Sequence, residues 1–308
     1  MLFEKSTLWQ SIINRTGHAL GTGAQQPIST EYEFIEDNGV HFFVRVLSSL
    51  ARKDEEKQKR EKEYSASGAK ANPFLPYEQD LFVADVSESH VALLNKFNVV
   101  NHHLLIITRD FEDQETLLTR KDFEALWTCM AEYNGLGFYN GGEAAGASQQ
   151  HKHLQIVPLP LTSEGPSVPI EPLIKDMTLS DDLGTTPHFA FTHIFARLGR
   201  DMTTSPNDAA AETCALYNEM LRRTNAAPLN NGTALRQSKP YCLIVTRDWM
   251  FLVPRSREFF EGISINALGF AGALLVRNND QMELLKKHGP MSALREVSLP
   301  MTENEPVR

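Results

Sequence analysis

The chain predicts an α+β fold that is internally duplicated, and three features lead there. Short apolar runs rich in β-branched residues alternate with stretches whose apolar residues recur at helical spacing. A strand–turn–strand–helix pattern occurs twice, over residues 91–135 and 239–277. The segment Leu-Ile-Ile-Thr-Arg-Asp-Phe at 105–111 also resembles Leu-Ile-Val-Thr-Arg-Asp-Trp at 243–249. A length of 308 residues suits one large domain or two tightly joined halves. The expected division is an N-terminal half, 1–165, and a C-terminal half, 166–308.

The elements follow in chain order. Leu2, Phe3, Leu8, Trp9, Ile12 and Ile13 predict an amphipathic helix ending near Gly17 or Gly21. Residues 40–50 read as a strand. Eleven of the twelve residues from Arg52 to Glu63 are charged, a solvated helix or loop, or else a flap that lends Lys53 to a ligand. A turn at 72–77 precedes a strand opening at Leu81. Two apolar stretches around a polar turn at Asn101 predict a hairpin. Phe123, Leu126, Trp127, Met130 and Tyr133 then mark a helix. In the second half, an irregular Pro- and Ser-rich passage at 158–187 leads to a strand at 188–198. A helix at 209–225, strands from Tyr241 and from Met250, and an apolar helix from about Ile265 to Val276 complete the pattern.

Composition limits the function. The 39 acidic and 30 basic residues give a net charge of −9, so neither nucleic acid nor an anionic membrane is an expected partner. Any anionic ligand needs a local cluster of donors. No apolar run reaches the ~18 residues of a membrane span, and the N-terminus has no secretory pattern. Cys129, Cys214 and Cys242 are widely spaced and odd in number, which argues against disulfides and structural zinc and for a cytoplasmic location.

The stretch from Asn140 to Pro160 carries the chemistry. Its first part, through Ala145, Gly146, Ala147 and Ser148, has almost no bulk and allows close backbone approach to a phosphate. His151, His153 and Gln155 then alternate with Lys152, Leu154 and Ile156. In a strand, the first set shares one face and Leu154 and Ile156 point to a core. On the residues alone, three readings stand: a metal pair, structural hydrogen bonding, or a phosphoryl- or nucleotidyl-transfer site. A carboxamide is a poor transition-metal ligand, so Gln155 favours the last, and no metal site is expected.

The run Ala-Gly-Ala-Ser-x-x-His-x-His-Leu-Gln-Ile resembles the active-site strand of the histidine-triad superfamily, in its Gln-bearing transferase branch. Within that branch the chain is similar to the diadenosine tetraphosphate phosphorylases, or ATP adenylyltransferases. Asn72-Pro-Phe-Leu-Pro-Tyr, Leu94-Asn-Lys-Phe and the segment from Asn266 to Arg277 extend the likeness over most of 72–277. Lys152, Leu154 and the lack of Cys-x-x-Cys set it apart from the galactose-1-phosphate uridylyltransferases, though a similar duplicated, histidine-triad-like antiparallel sheet is implied.

The resemblance implies phosphorolysis of diadenosine tetraphosphate to ATP and ADP. His153 would be the nucleophile that carries the adenylyl group, His151 would orient it, and Gln155 would donate to the α-phosphate or the bridging oxygen. Asn140, Ala145, Gly146, Ala147 and Ser148 would hold phosphates. Asn95 and Lys96, Asn266, Ala267, Leu268 and Arg277 would contact the nucleotide, Arg277 standing where the family usually has lysine. Lys53 matches a family lysine more loosely. No tightly bound cofactor is implied, although a divalent cation such as magnesium would accompany the substrate. Dinucleoside polyphosphates, phosphate, ATP and ADP are the expected small-molecule partners. A silent dinucleotide sensor and a hydrolase are the competing functions.

Overall fold

The computed structural model describes residues 3–47, 72, 74–199, 201–230 and 235–301. The charged run and Lys53 lie outside the described residues. Helix α1 (Leu8–Thr22) buries Leu8, Ile12 and Ala19; it runs past Gly17 and Gly21 and stops at Gly23, whose φ of 76° closes the last turn. Strands β1 (Thr30–Asp37) and β2 (Val40–Leu47) form an antiparallel hairpin.

A first unit follows. It contains β3 (Phe82–Asp85), β4 (His90–Leu94), β5 (Leu104–Thr108), α2 (Arg120–Met130), β6 (Gly135–Gly141) and β7 (His153–Pro158). After the short α3 (Glu171–Ile174) comes a second unit. Its strands are β8 (Thr178–Ser180), β9 (Leu183–Thr185) and β10 (Ile194–Arg197), followed by α4 (Pro206–Arg223). A two-residue ribbon, β11 (Leu229–Asn230) with β12 (Leu235–Arg236), leads into β13 (Tyr241–Val245) and β14 (Trp249–Pro254). The chain ends with the ribbon β15 (Phe259–Phe260) and β16 (Ile263–Ser264), then α5 (Ala267–Phe270), β17 (Ala273–Val276), α6 (Asn279–His288) and α7 (Pro290–Val297).

Ten strands make one sheet in the order β3-β4-β5-β7-β6-β13-β14-β10-β9-β8. Each unit thus contributes three strands, a helix and two strands, and the last two exchange places in the sheet. The units meet where β6 pairs antiparallel with β13, Tyr139 opposite Leu243, as a two-fold relation requires. The duplication is therefore real, but its bounds are 82–158 and 178–254, not 91–135 and 239–277. The heptapeptide likeness is not its imprint, because 105–111 starts in β5 whereas 243–249 starts in β13, the counterpart of β6.

One sheet face buries Ile106, Leu154, Ile156, Leu243, Met250 and Leu252 under α1, α2 and α4. Trp127 of α2 is fully buried there and its indole N–H donates to Thr213 of α4. On the other face, Phe138, Phe195, Ile244 and Phe251 pack against β2, α5, α6 and α7. A smaller apolar patch on that face comprises Val91, Leu93, Leu105 and Ile107. Gln155 and His153 run between the two patches, for Leu105 lies opposite Gln155 and Ile107 opposite His153.

The predicted helix from Ile265 to Val276 is instead a single turn followed by a strand. Gly272 breaks it with a φ of 90°, where a Cβ would stand 2.6 Å from Pro169 Cβ. Beyond it, β17 adds parallel to β2. A run that is apolar on every side cannot distinguish helix from strand by period. The strand expected over 188–198 shortens to β10, and the passage 158–187 holds β8 and β9.

Candidate active site

His153 opens β7 and is nearly fully buried. Its Nδ1 donates to the carbonyl of His151 at 2.8 Å, so Nε2 keeps its lone pair. Burial pushes the pKa of the ring down to about 4, and the nearby His151 adds to the shift. At neutral pH it is an uncharged imidazole with a fixed tautomer. The Phe74 ring meets His153 and His151 in T-shaped contacts, with centroids 5.3 Å and 5.6 Å away.

His151 precedes the strand and is locked on both sides. Its Nε2 lies 2.8 Å from the Thr108 carbonyl, and its Nδ1 lies 2.9 Å from the Asn72 carboxamide. Burial lowers its pKa, so it is not a ready proton donor near neutrality. It orients His153 through its carbonyl. Gln155, on the same face, has its Oε1 at 3.0 Å from His103 Nε2, and His103 Nδ1 is 3.1 Å from Asn95 Nδ2. Asn95 therefore stands behind Gln155.

The glycine-rich loop leaves β6 at Gly142, whose φ is 90°. The N–H groups of Ala145 and Ala147 bond to the Gly142 carbonyl, and that of Gly146 to Glu143, so these amides close the loop's own turns. Ser148 is exposed at its tip. Asn140, almost fully buried, accepts from the Ala267 N–H at 2.9 Å through Oδ1, which leaves its Nδ2 to donate. Gly146 is pressed against Asn266, where a Cβ would come within 2.8 Å. The segments 140–148 and 266–268 thus form one wall, with Leu268 buried in it.

The cationic positions are placed differently. Lys96 is engaged by Glu78 at 2.8 Å, and the Arg277 side chain is exposed at the end of β17. Beneath β7, on the face opposite His153, Lys152 is wholly buried between Asp122 and Glu112, each at 3.0 Å. Burial alone would raise the Asp122 pKa, but the His90 hydrogen bond and the Lys152 ammonium hold it well below the usual range.

Several site residues lie outside the motif. The Gln114 carboxamide accepts from the His153 N–H at 2.8 Å and donates to the Asn140 carbonyl at 2.9 Å. It replaces a ladder rung at the point where β6 and β7 part. Arg255, fully buried, donates to the Ala145, Val297 and Arg257 carbonyls and packs over Phe270. It joins the loop to α7. Among the described residues, no group of three or more His, Cys, Asp or Glu could hold a metal.

The chain is similar to known proteins over most of its length. The Ap4A phosphorylase N-terminal domain matches residues 1–176, and the ATP adenylyltransferase C-terminal domain matches 187–300. Diadenosine 5',5'''-P1,P4-tetraphosphate phosphorylase 2 of Saccharomyces cerevisiae is 26% identical over 251 residues, 70% of this chain and 71% of that protein. Protein APA1 of the same organism is 28% identical over 219 residues, 63% of each chain. The crystal structure of yeast Ap4A phosphorylase Apa2 superposes with a TM-score of 0.77 at 25% identity, covering 99% of this chain and 98% of that one. Its complex with Ap4A superposes equally well, at 24% identity over 98% of this chain and 100% of that one.

Proposed function

The chain belongs to the Ap4A phosphorylase family, and from that premise we propose that it cleaves diadenosine tetraphosphate with inorganic phosphate, yielding ATP and ADP. The observation that carries the reading is His153, buried, uncharged and held with Nε2 free to attack. Nε2 attacks the α-phosphorus, an N–P bond forms, and the bond to the bridging oxygen breaks to release ATP. The ring in the adduct is cationic, and its Nδ1–H stays on the His151 carbonyl. A phosphate oxygen then attacks the same phosphorus, the N–P bond breaks, and ADP leaves with the imidazole restored.

ATP departs as a stable anion in the first step and the imidazole as a neutral ring in the second, so neither step needs a strong general acid. Gln155 can donate N–H groups to the α-phosphate but cannot take a proton from water. Its carboxamide therefore favours an acceptor that arrives already ionised, as phosphate does. In this reading the Asn140 Nδ2 and the Ser148 hydroxyl hold phosphate oxygens; the pairing of Asn140 Oδ1 with the Ala267 N–H, which leaves Nδ2 to donate, supports it. Lys96, Arg277 and Lys53 supply the positive charge that a tetraphosphate needs against a net charge of −9. A divalent cation such as magnesium would travel with the polyphosphate. The reading places the enzyme in the cytoplasm, a setting supported by three free cysteines; none of the described helices is long and apolar enough to cross a membrane.

Incubation with diadenosine tetraphosphate, with and without phosphate, tests the proposal. ATP and ADP formed only with phosphate is the expected result. ATP and AMP would mean hydrolysis, and binding without turnover would mean a sensor; either refutes it.

A further inference from the structure

We infer that His103 is a positioning residue for adenylyl transfer, acting through Gln155, and that Asn95 sets the tautomer that allows it. The inference rests on the functional reading above and adds the device that fixes which end of the Gln155 carboxamide meets the phosphate.

The hydrogen-bond chain has one consistent direction. The Phe97 peptide N–H can only donate, and it lies 3.1 Å from Asn95 Oδ1. The other end of that carboxamide, Nδ2, is therefore the end at His103, and it too can only donate. His103 Nδ1, 3.1 Å away, must accept, which puts the ring proton on Nε2. Nε2–H donates to Gln155 Oε1 at 3.0 Å. The oxygen of Gln155 is thus turned back into the protein, and its N–H groups are left as the end offered to a phosphate beside His153. His103 is buried, so water does not compete for these bonds. Without the relay the two orientations of Gln155 lose their energetic distinction, and the reversed one sets an oxygen lone pair against an anionic phosphate.

The second unit supplies an internal contrast. His193 stands two residues before Phe195 of β10, as His103 stands two before Leu105 of β5. Phe195 lies opposite Phe251, as Leu105 lies opposite Gln155. With no carboxamide to orient, His193 takes the other tautomer: Nδ1–H donates to the Phe191 carbonyl at 2.8 Å, and Nε2 accepts from the Thr186 N–H at 3.0 Å. The proton position follows the partner, not the fold.

The test is a double-mutant cycle on phosphorolysis with the full chain. His103→Leu and Gln155→Ala should each lower kcat about tenfold or more with KM little changed, and the double variant should be no slower than Gln155→Ala. His103→Gln, which can keep an N–H near the ring's Nε2, should retain most of kcat. Losses that multiply in the double variant, or equal losses for His103→Leu and His103→Gln, would overturn the relay. Imidazole 15N spectra of the wild type need no variant: a protonated Nε2 on His103 is expected, and a protonated Nδ1 alone would overturn it. A wild type without phosphate-dependent turnover would instead refute the functional reading.

Discussion

Strands β7 and β14 hold the same place in the two units, yet one faces the sheet surface with chemistry and the other with aromatic packing. His153 and Gln155 of β7 correspond in register to Trp249 and Phe251 of β14. The connections differ as well. Gly142 to Lys152 separates β6 from β7, whereas only Thr246 to Asp248 separate β13 from β14. Phe251 stacks on Phe195 with centroids 4.0 Å apart and joins the core beneath α5 and α7. The two strands thus differ at both positions that face this side of the sheet and in the length of the loop before them. On the proposed mechanism the first unit holds the nucleophile. The second braces the wall formed by Asn266 and Ala267.

Breaking each strand should separate these roles. His153→Gly should lower turnover by ~10³-fold or more while leaving the fold near its original stability, read by steady-state rates and thermal melting. Phe251→Ala should do the reverse. It should cost about 3 kcal/mol of unfolding free energy, read by denaturant titration, while kcat per folded molecule changes little. Turnover by the glycine variant, or a silent alanine substitution, would erase the distinction.

The buried histidines of the two units sharpen the comparison through pH. Burial holds the pKa of both His153 and His193 at about 4, against about 6.5 in an unfolded chain. Between those values the unfolded state binds more protons, so stability is full above the unfolded value and falls as pH drops toward 4. Unfolding near pH 5 should take up about two protons from this pair. His193→Asn should remove about one of them and leave phosphorolysis intact, measured by the pH dependence of the denaturation midpoint. The smallest effect belongs to Lys96→Ala. Lys96 is already paired with Glu78 at the surface, so KM should rise only about fivefold and kcat should hold.

Much of the site was legible because a strand's two-residue period places His151, His153 and Gln155 together and buries Leu154 and Ile156 opposite. The low bulk of Asn140 to Ser148 was read as room for a phosphate against the backbone; what the structure shows is Gly146 pressed against Asn266. Gln114, His103 and Arg255 were not legible. They reach the motif from distant segments, and no local period marks a glutamine that replaces a ladder rung. The duplication was legible as a pattern but misplaced, because short strands such as β8 and β9 leave too little periodicity to set bounds. The segment 265–276 failed for a related reason, since residues buried on every side carry no period.

On the proposed mechanism, covalent chemistry occurs on β7 alone. The most direct measurement uses diadenosine tetraphosphate labelled in its adenylyl groups, mixed with enzyme in the absence of phosphate and quenched rapidly. One adenylyl group per chain should be trapped, labile to acid and stable to base. It should map to the peptide that contains His153 and be absent from the His153→Gly variant. Label on the peptide that contains His193, or label that persists in that variant, would contradict the account.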